Sequence, residues 1–245
     1  MNYKEALPHP NISNFVQLFW QLDNTSTEEK RHTVLPDGYF DLIIKILDNK
    51  IIEISLYGIW TKQIEVVVPS NNTVLGVTLK PIAAEYIFKD NIANIVNDFK
   101  ILDTNFWNIT QLPFLDFDNF ILEFTSKISK EIKTDNRKIE IFDLLFNSSG
   151  AMTVEELSKN IFWSSRQINR YFNTQFGFSL KTYANILRCS ASYTNIWKGE
   201  LSPSVHFYDQ SHFIKEIKRY TGSIPSELHQ NENDRFLQFY ILENL

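Results

Sequence analysis

Residues 164–183 read SSRQINRYFNTQFGFSLKTY, and residues 207–225 read FYDQSHFIKEIKRYTGSIP. Each is a helix written between start and stop signals. In the first, Ser164 or Ser165 caps a helix whose apolar positions, Ile168, Tyr171, Phe172 and Phe176, share one face, and Gly177 ends it. Arg166, Gln167, Asn169 and Arg170 project elsewhere. In the second, Phe207, Phe213, Ile217 and Tyr220 mark the apolar face. Asp209, Gln210, Ser211, His212, Lys215, Lys218 and Arg219 supply a polar and basic face, and Gly222 followed by Pro225 is the usual order in which a helix stops. The two stretches repeat one another, as RYFNTQFGFSLKTY set beside EIKRYTGSIPSEL shows.

Upstream, Thr153-Val154-Glu155-Glu156 is a capping box, so a short helix is expected to about Asn160, with Ile161-Phe162-Trp163 as a turn. The unit is then helix, tight turn, helix, with Arg, Gln and Asn near the start of the second helix. A helix of this width fits the DNA major groove, and those residue types pair with guanine and adenine edges. The same spacing also suits a helical hairpin with a solvated polar face. Ser179 caps a longer helix expected over 180–197, ending near Gly199.

These residues carry a resemblance. Ser164-x-Arg166-x-x-x-Arg170-x-Phe172, Gly177-x-Ser179-x-Lys181-x-Tyr183, Arg188, and then Phe207-x-Asp209-Gln210-Ser211-His212-Phe213-x-Lys215-x-x-Lys218-Arg219-x-x-Gly222-x-x-Pro225 follow one family pattern. Residues 146–230 resemble the DNA-binding domain of the AraC/XylS family of bacterial transcription regulators. The resemblance implies two helix-turn-helix units joined by the 179–197 helix, each placing one recognition helix in successive major grooves. It implies that Ser165, Arg166, Gln167, Asn169 and Arg170 face DNA in the first groove and Gln210, Ser211, His212 and Lys215 in the second. Lys181, Lys218 and Arg219 would contact phosphates. Asp209 reads as a helix cap, and Arg170 could instead pair with Glu155 or Glu156.

The chain departs from the pattern after Gly199. It reaches the Phe-x-Asp-Gln motif about five residues early, and only residues 200–206, with Pro203 among them, remain for the helix that supports the second recognition helix. That helix is expected to be one turn at most, and base contacts are expected more from the first unit than the second. His206 also stands where the family has Gly.

The first half carries strand signals over 33–80. Asp48-Asn49 between 41–47 and 50–57 reads as a hairpin. A second is expected from 63–68, a turn at 69–72, and 73–80, where Pro81 ends the strand. Residues 12–22 add a strand, and short helical stretches follow from Ala83 to Phe99. The spacing predicts a small barrel or sandwich. Leu35-Pro36-Asp37-Gly38-x-x-Asp41-Leu42, the strand at Gly58 and Gly76-Val77-x-Leu79-x-Pro81 resemble the cupin-like region that precedes some AraC-type domains. Phe19, Trp20, Tyr39, Phe40, Tyr57 and Trp60 either fill its core or line a pocket, and Asp37 and Asp41 are either turn-formers or a polar anchor pair.

Between the halves, Phe117, Phe120, Ile121, Phe124, Ile128 and Ile132 form a helical stripe that packs on its own domain or on a second copy of the chain, and residues 138–146 continue in the same style. The run 147–150, Asn-Ser-Ser-Gly, reads as a boundary. Phe236, Leu237, Phe239 and Tyr240 are spaced to pack back on the domain. The expected fold class is α+β. A cupin-like small β-barrel with short helices, for sensing or dimerisation, covers 1–112 and a helical connector 113–148. An all-α domain of two helix-turn-helix units joined by a linker helix covers 149–230, and a tail 231–245.

Charge supports separate tasks. The net charge is −5, yet residues 146–230 carry +3 while 1–145 carry −6. The one cysteine, Cys189, excludes an intramolecular disulfide framework and a multi-cysteine zinc site. No apolar run reaches membrane-spanning length, and the first residues lack a secretory apolar region, so a cytoplasmic protein is expected. Only His9 and His32 stand in the first half, so no metal and no cofactor is expected. Asp209, Ser211 and His212 lie too close on one helix to form a hydrolase triad, and no nucleophile elbow or glycine-rich phosphate loop exists, so no enzyme is expected. The reading is a sequence-specific DNA-binding regulator with double-stranded DNA as partner. It expects a homodimer, RNA polymerase as a partner of an activator, and a small-molecule effector of unknown identity. The alternative is an interaction protein that keeps the fold without specific DNA binding.

Overall fold

The computed structural model describes residues 1–103, 105–107, 116–128, 132–203 and 207–244. An antiparallel β region comes first, with β1 (Asn2–Ala6), β2 (Val16–Asn24), β3 (Lys30–Val34), β4 (Phe40–Leu47), β5 (Lys50–Tyr57), β6 (Ile64–Val68), β7 (Asn72–Leu79) and β8 (Phe99–Ile101). One six-stranded sheet runs β1-β2-β7-β4-β5-β8, and β3 pairs with β6 in a second sheet. The Asp48-Asn49 hairpin forms as read. Both residues have positive φ (49° and 59°) and Leu47 pairs with Lys50, a two-residue turn whose twist matches the flanking strands. β7 is buried along most of its length because β2 and β4 flank it on both sides.

The second expected hairpin does not form. Its two strands exist, but β6 pairs with β3 and not with β7. Both edges of β7 are already occupied, and a strand has only two. Residues 69–71 carry the chain from one sheet to the other, and the Asn24 side-chain amide holds this corner by donating to Val68 O (3.1 Å) and Pro69 O (3.0 Å). Asn2–Ala6 was not expected as a strand. It is a mostly exposed edge with no apolar alternation to betray it.

The helices are α1 (Ile82–Tyr86), α2 (Phe117–Ile128), α3 (Asn136–Asn147), α4 (Val154–Ile161), α5 (Ser165–Phe176), α6 (Leu180–Ser190), α7 (Tyr193–Trp197), α8 (Gln210–Thr221), α9 (Pro225–Gln230) and α10 (Leu237–Asn244). None of the described helices is long and apolar enough to cross a membrane. In α2, Phe120 and Phe124 meet Phe19 of β2 edge-on, at 6.1 and 5.6 Å between ring centres. The stripe over 117–128 therefore packs on the chain's own sheet. Of the two expected uses, packing on the chain's own domain is the one formed, with Phe117, Phe120, Phe124 and Ile128 buried.

The long linker helix is also corrected. It breaks between α6 and α7 at Ala191 and Ser192. Ser192 is buried, and its hydroxyl donates to Arg188 O (3.1 Å), a back-bond of the kind that disturbs a helix. Beyond the break, the Tyr193 hydroxyl reaches Pro36 O (2.9 Å) in the β region.

The two regions share their cores. One cluster joins Phe19, Phe40 and Leu42 of the sheet to Phe142, Ile168, Phe172, Tyr183 and Leu187 of the helices. A second surrounds Leu35 with Ile186, Tyr193, Phe213, Ile217, Phe236 and Phe239. The segment between β3 and β4 is the wedge. Tyr183 donates to Gly38 O (3.0 Å), and Tyr39 stacks on Phe146 at 5.3 Å. The tail packs back, as its spacing predicts, with Phe236 and Phe239 almost fully buried.

Candidate nucleic-acid interface

α4 and α5 form the first helix-turn-helix unit. Thr153 caps α4 and Ser164 caps α5, each closing a complete capping box with Glu156 or Gln167. Leu157 and Ile161 of α4 and Ile168, Phe172 and Phe176 of α5 are buried together, so these positions set which side of α5 faces out. That outer side carries Arg166, Gln167 and Arg170, all exposed, with Ser165 and Asn169 part-exposed. Arg166 and Arg170 make no ion pair or hydrogen bond among the described residues. The pairing of Arg170 with Glu155 or Glu156 does not occur. Glu156 instead accepts from Thr153 N (2.7 Å), and this bond holds its carboxyl below the usual range.

The amide side chains are more committed. Gln167 Oε1 accepts from Ser164 N (2.9 Å), and Asn169 Nδ2 donates to Ser165 O (3.0 Å). Arg166 and Arg170 are thus left free to reach outward. Two clefts flank this helix. One, of about 360 Å³, is lined by Arg137, Trp163, Gln167, Arg170, Tyr171, Thr174 and Gln175. The other, of about 440 Å³, lies between residues 150–154, Asn169 and the Lys181 and Arg188 side of α6. Each cleft is lined by two basic side chains, but Arg137 is paired through Nε and Nη2 with Asp135 (3.0 and 2.7 Å) and Arg188 donates to Gly150 O (3.0 Å), which leaves Arg170 and Lys181 without an ion pair among the described residues. Arg137 was missed by the sequence reading. It lies outside the repeated motif, and its guanidinium is held at the cleft between the Asp135 carboxylate and the Trp163 ring, 5.3 Å away.

In the second unit α7 precedes α8, and residues 198–209 connect them without a helix among the described residues. His206 lies outside those residues. The supporting helix is α7, taken from the end of the expected linker helix. Asp209 caps α8 by accepting from His212 N (2.8 Å), as expected of it. Gln210 Nε2 donates to Leu201 O (2.8 Å) and so ties down the long connection. Ser211, Lys215, Lys218 and Arg219 are exposed and His212 is part-exposed. Arg219 lies 3.7 Å from Glu216, while Lys215 and Lys218 have no ion pair among the described residues. Lys181, at the start of α6, is likewise exposed and without an ion pair there.

In the β region, Phe19 and Phe40 are core, with no exposed surface. Trp20 Nε1 donates to Thr78 Oγ1 (3.1 Å), whose hydroxyl donates to Asp41 Oδ1 (2.6 Å). Tyr57 stacks on Phe99 at 4.9 Å, with Trp60 at 6.5 Å from Tyr57. Asp37 Oδ1 accepts from Tyr39 N (3.0 Å), the turn-forming bond expected of Asp in Pro-Asp-Gly. Burial, with the Asp41 charge adding to it, pushes the Asp37 carboxyl up to about 7. Burial pushes Asp41 up to about 6, against the opposing hydrogen bonds from Thr78 and Trp20. Among the described residues, no group of three or more His, Cys, Asp or Glu is placed to hold a metal ion.

Residues 4–99 match a family model described as a domain of unknown function, DUF6597. No curated protein sequence matches the chain. Among solved structures it is similar to ToxT of Vibrio cholerae. An apo point variant from strain SCE256 is 15% identical with a TM-score of 0.45, over 91% of this chain and 98% of that one. The wild-type protein from the same strain with an unsaturated fatty acid bound is 13% identical with a TM-score of 0.43, over 96% of each chain. ToxT from strain O395 is 14% identical with a TM-score of 0.42, over 95% of this chain and 97% of that one.

Proposed function

We propose that the chain is a sequence-specific DNA-binding transcription regulator of the AraC type, with α5 and α8 as its recognition helices. The observation that carries the reading is the outer side of α5. Arg166 and Arg170 stand exposed and unpaired at the solvent end of a helix locked by a capping box and an aromatic core, between two cation-lined clefts. Arginine pairs with guanine through O6 and N7, and the flanking, exposed Lys181 suits a phosphate. In the second unit Ser211, His212, Lys215, Lys218 and Arg219 face the same class of ligand, while Gln210 serves the loop. The β region is read as a cupin-like sensor that accepts a small effector or a second copy of the chain, and the protein as cytoplasmic. As an activator it would engage RNA polymerase.

An effector shifts such a protein only by binding its arrangements unequally. The experiment is sequencing of DNA immunoprecipitated with the tagged chain, beside Arg166→Ala. The expected result is one shared motif, with binding to it weakened by about 1–3 kcal/mol in the variant. In salt titration the logarithm of affinity should fall linearly with that of salt concentration. A folded chain that enriches no sequence and passes through a heparin column at low salt would instead be an interaction protein.

A further inference from the structure

Both recognition helices end against the β region at the same position. α5 stops at Gly177 (φ 76°) and α8 at Gly222 (φ 73°), both in the left-handed cap conformation that glycine adopts without strain. In each unit the residue two places before the glycine gives its carbonyl to a backbone amide of the β region. Ile92 N donates to Gln175 O (2.9 Å), and Gln63 N donates to Tyr220 O (3.1 Å). The approach is close at both ends: a Cβ on Gly177 would lie 2.9 Å from Ala93 O, and one on Gly222 would lie 2.4 Å from Gln63 Nε2.

The two docking loops are themselves stitched together. Asn97 Oδ1 accepts from Thr61 N (2.8 Å), and Asn97 Nδ2 donates to Thr61 Oγ1 (2.9 Å). Asn97 N donates to Ile59 O (3.2 Å), and Gly58 N donates to Asp98 O (3.0 Å). An unbroken path therefore runs from α5 through Ile92, Asn97, Thr61 and Gln63 to α8. Further routes are α6, which packs against both helices, and the β3–β4 segment, which bonds to Tyr183 and Tyr193. In the second unit α7 is only five residues long and the connection to α8 holds no helix among the described residues.

We propose that loops 58–63 and 92–98 are a clamp that fixes the separation and mutual orientation of α5 and α8, with Asn97 as its positioning residue. Where the DNA-binding reading holds, on which this consequence rests, the clamp sets the spacing of half-sites that the chain accepts. Asn97→Gly opens the side-chain stitch, since it keeps the left-handed backbone (φ 56°) and removes the amide, while Thr61→Val removes only the hydroxyl's bonds and leaves Thr61 N on Asn97 Oδ1 (2.8 Å).

The first measurement is the distance between spin labels on α5 and α8, at Thr174→Cys and Lys215→Cys. Native Cys189 is buried and its thiol is pushed up to about 12, so it does not label. The expected result is one narrow distance in the parent, a broadened distribution in Asn97→Gly and a smaller broadening in Thr61→Val. A parent that is already broad, or a folded Asn97→Gly as narrow as the parent, would overturn the clamp. The second is selection from a pool of random-sequence duplexes. The parent should enrich paired half-sites at one spacing, and Asn97→Gly should enrich the same half-sites at several. A variant that keeps the single spacing overturns the clamp's role in spacing. A parent that enriches nothing overturns the DNA reading alone, and the distance measurement still judges the clamp.

Discussion

Phe162 ends α4 in the left-handed region (φ 56°, ψ 30°) with 88% of its surface exposed. A bulky L-residue there is strained, and this ring recovers little by burial. Phe162→Gly should therefore raise stability by about 0.5–1 kcal/mol, after the chain-entropy cost of glycine is set against the relieved strain. Urea denaturation checks this, and a loss of stability would mean that the ring has a structural partner. Asp37 and Asp41 give a second expectation. Their carboxyls are raised to about 7 and about 6, so the folded state favours the protonated forms. Stability from this source is complete below the ordinary carboxylate range and is lost as pH rises towards about 7. Asp37→Asn keeps the bond to Tyr39 N and cannot ionise. It should flatten the fall in unfolding midpoint between about pH 4 and about pH 7 and be more stable than the parent at the upper end. An unchanged profile would refute that. At this scale the sequence is informative about direction: periodicity turns Arg166 and Arg170 outward because Ile168 and Phe172 must turn in. It is silent on commitment. Gln167, Asn169 and Gln210 look like base readers by type, yet their amides bond to nearby backbone, which depends on cap and loop geometry.

Elements show the same division between pattern and pairing. The Asp48-Asn49 hairpin was legible because turn and alternation lie side by side in the chain. The β6 pairing was not, since alternation says which face is buried and nothing about which strand sits alongside. The α6–α7 break was hidden because helical spacing continues across it, and only the burial of Ser192 against the Arg188 carbonyl reveals it. α2 offers a quantitative check. Phe124 is 2% exposed against Phe19, while Leu122 is 66% exposed on the opposite side. Phe124→Ala should cost about 3–5 kcal/mol. Leu122→Ser should stay within about 0.5 kcal/mol of the parent. Both are read from denaturant midpoints. The reverse ranking would mean that the outer side of α2 is covered and the inner side is not.

At the scale of the whole molecule, composition and charge separate a β half from a basic helical half, and the fold joins them. The joining residues carry no motif. Leu35 belongs to the core of the second unit, and Tyr183 and Tyr193 bond to the backbone of the β3–β4 segment. The tail completes the joint. Arg235 O accepts from Thr33 N (2.6 Å), Gln238 bonds to both backbone groups of Leu35, and the Tyr240 hydroxyl donates to Met1 O (3.1 Å). Long-range contacts of this kind leave no local trace in a sequence. They do have a thermodynamic consequence. Chains of this length commonly unfold domain by domain. Here, separation of the halves would expose Leu35, Phe40, Tyr183 and Phe239 together, so neither half keeps its core when the other melts. One transition is expected, with coincident midpoints from far-ultraviolet circular dichroism, which follows the helices, and from the fluorescence of Trp20, which lies in the sheet. Replacing the other four tryptophans by phenylalanine isolates that signal. Two separated midpoints would show that the halves are independent and that their shared core contributes little to holding them together.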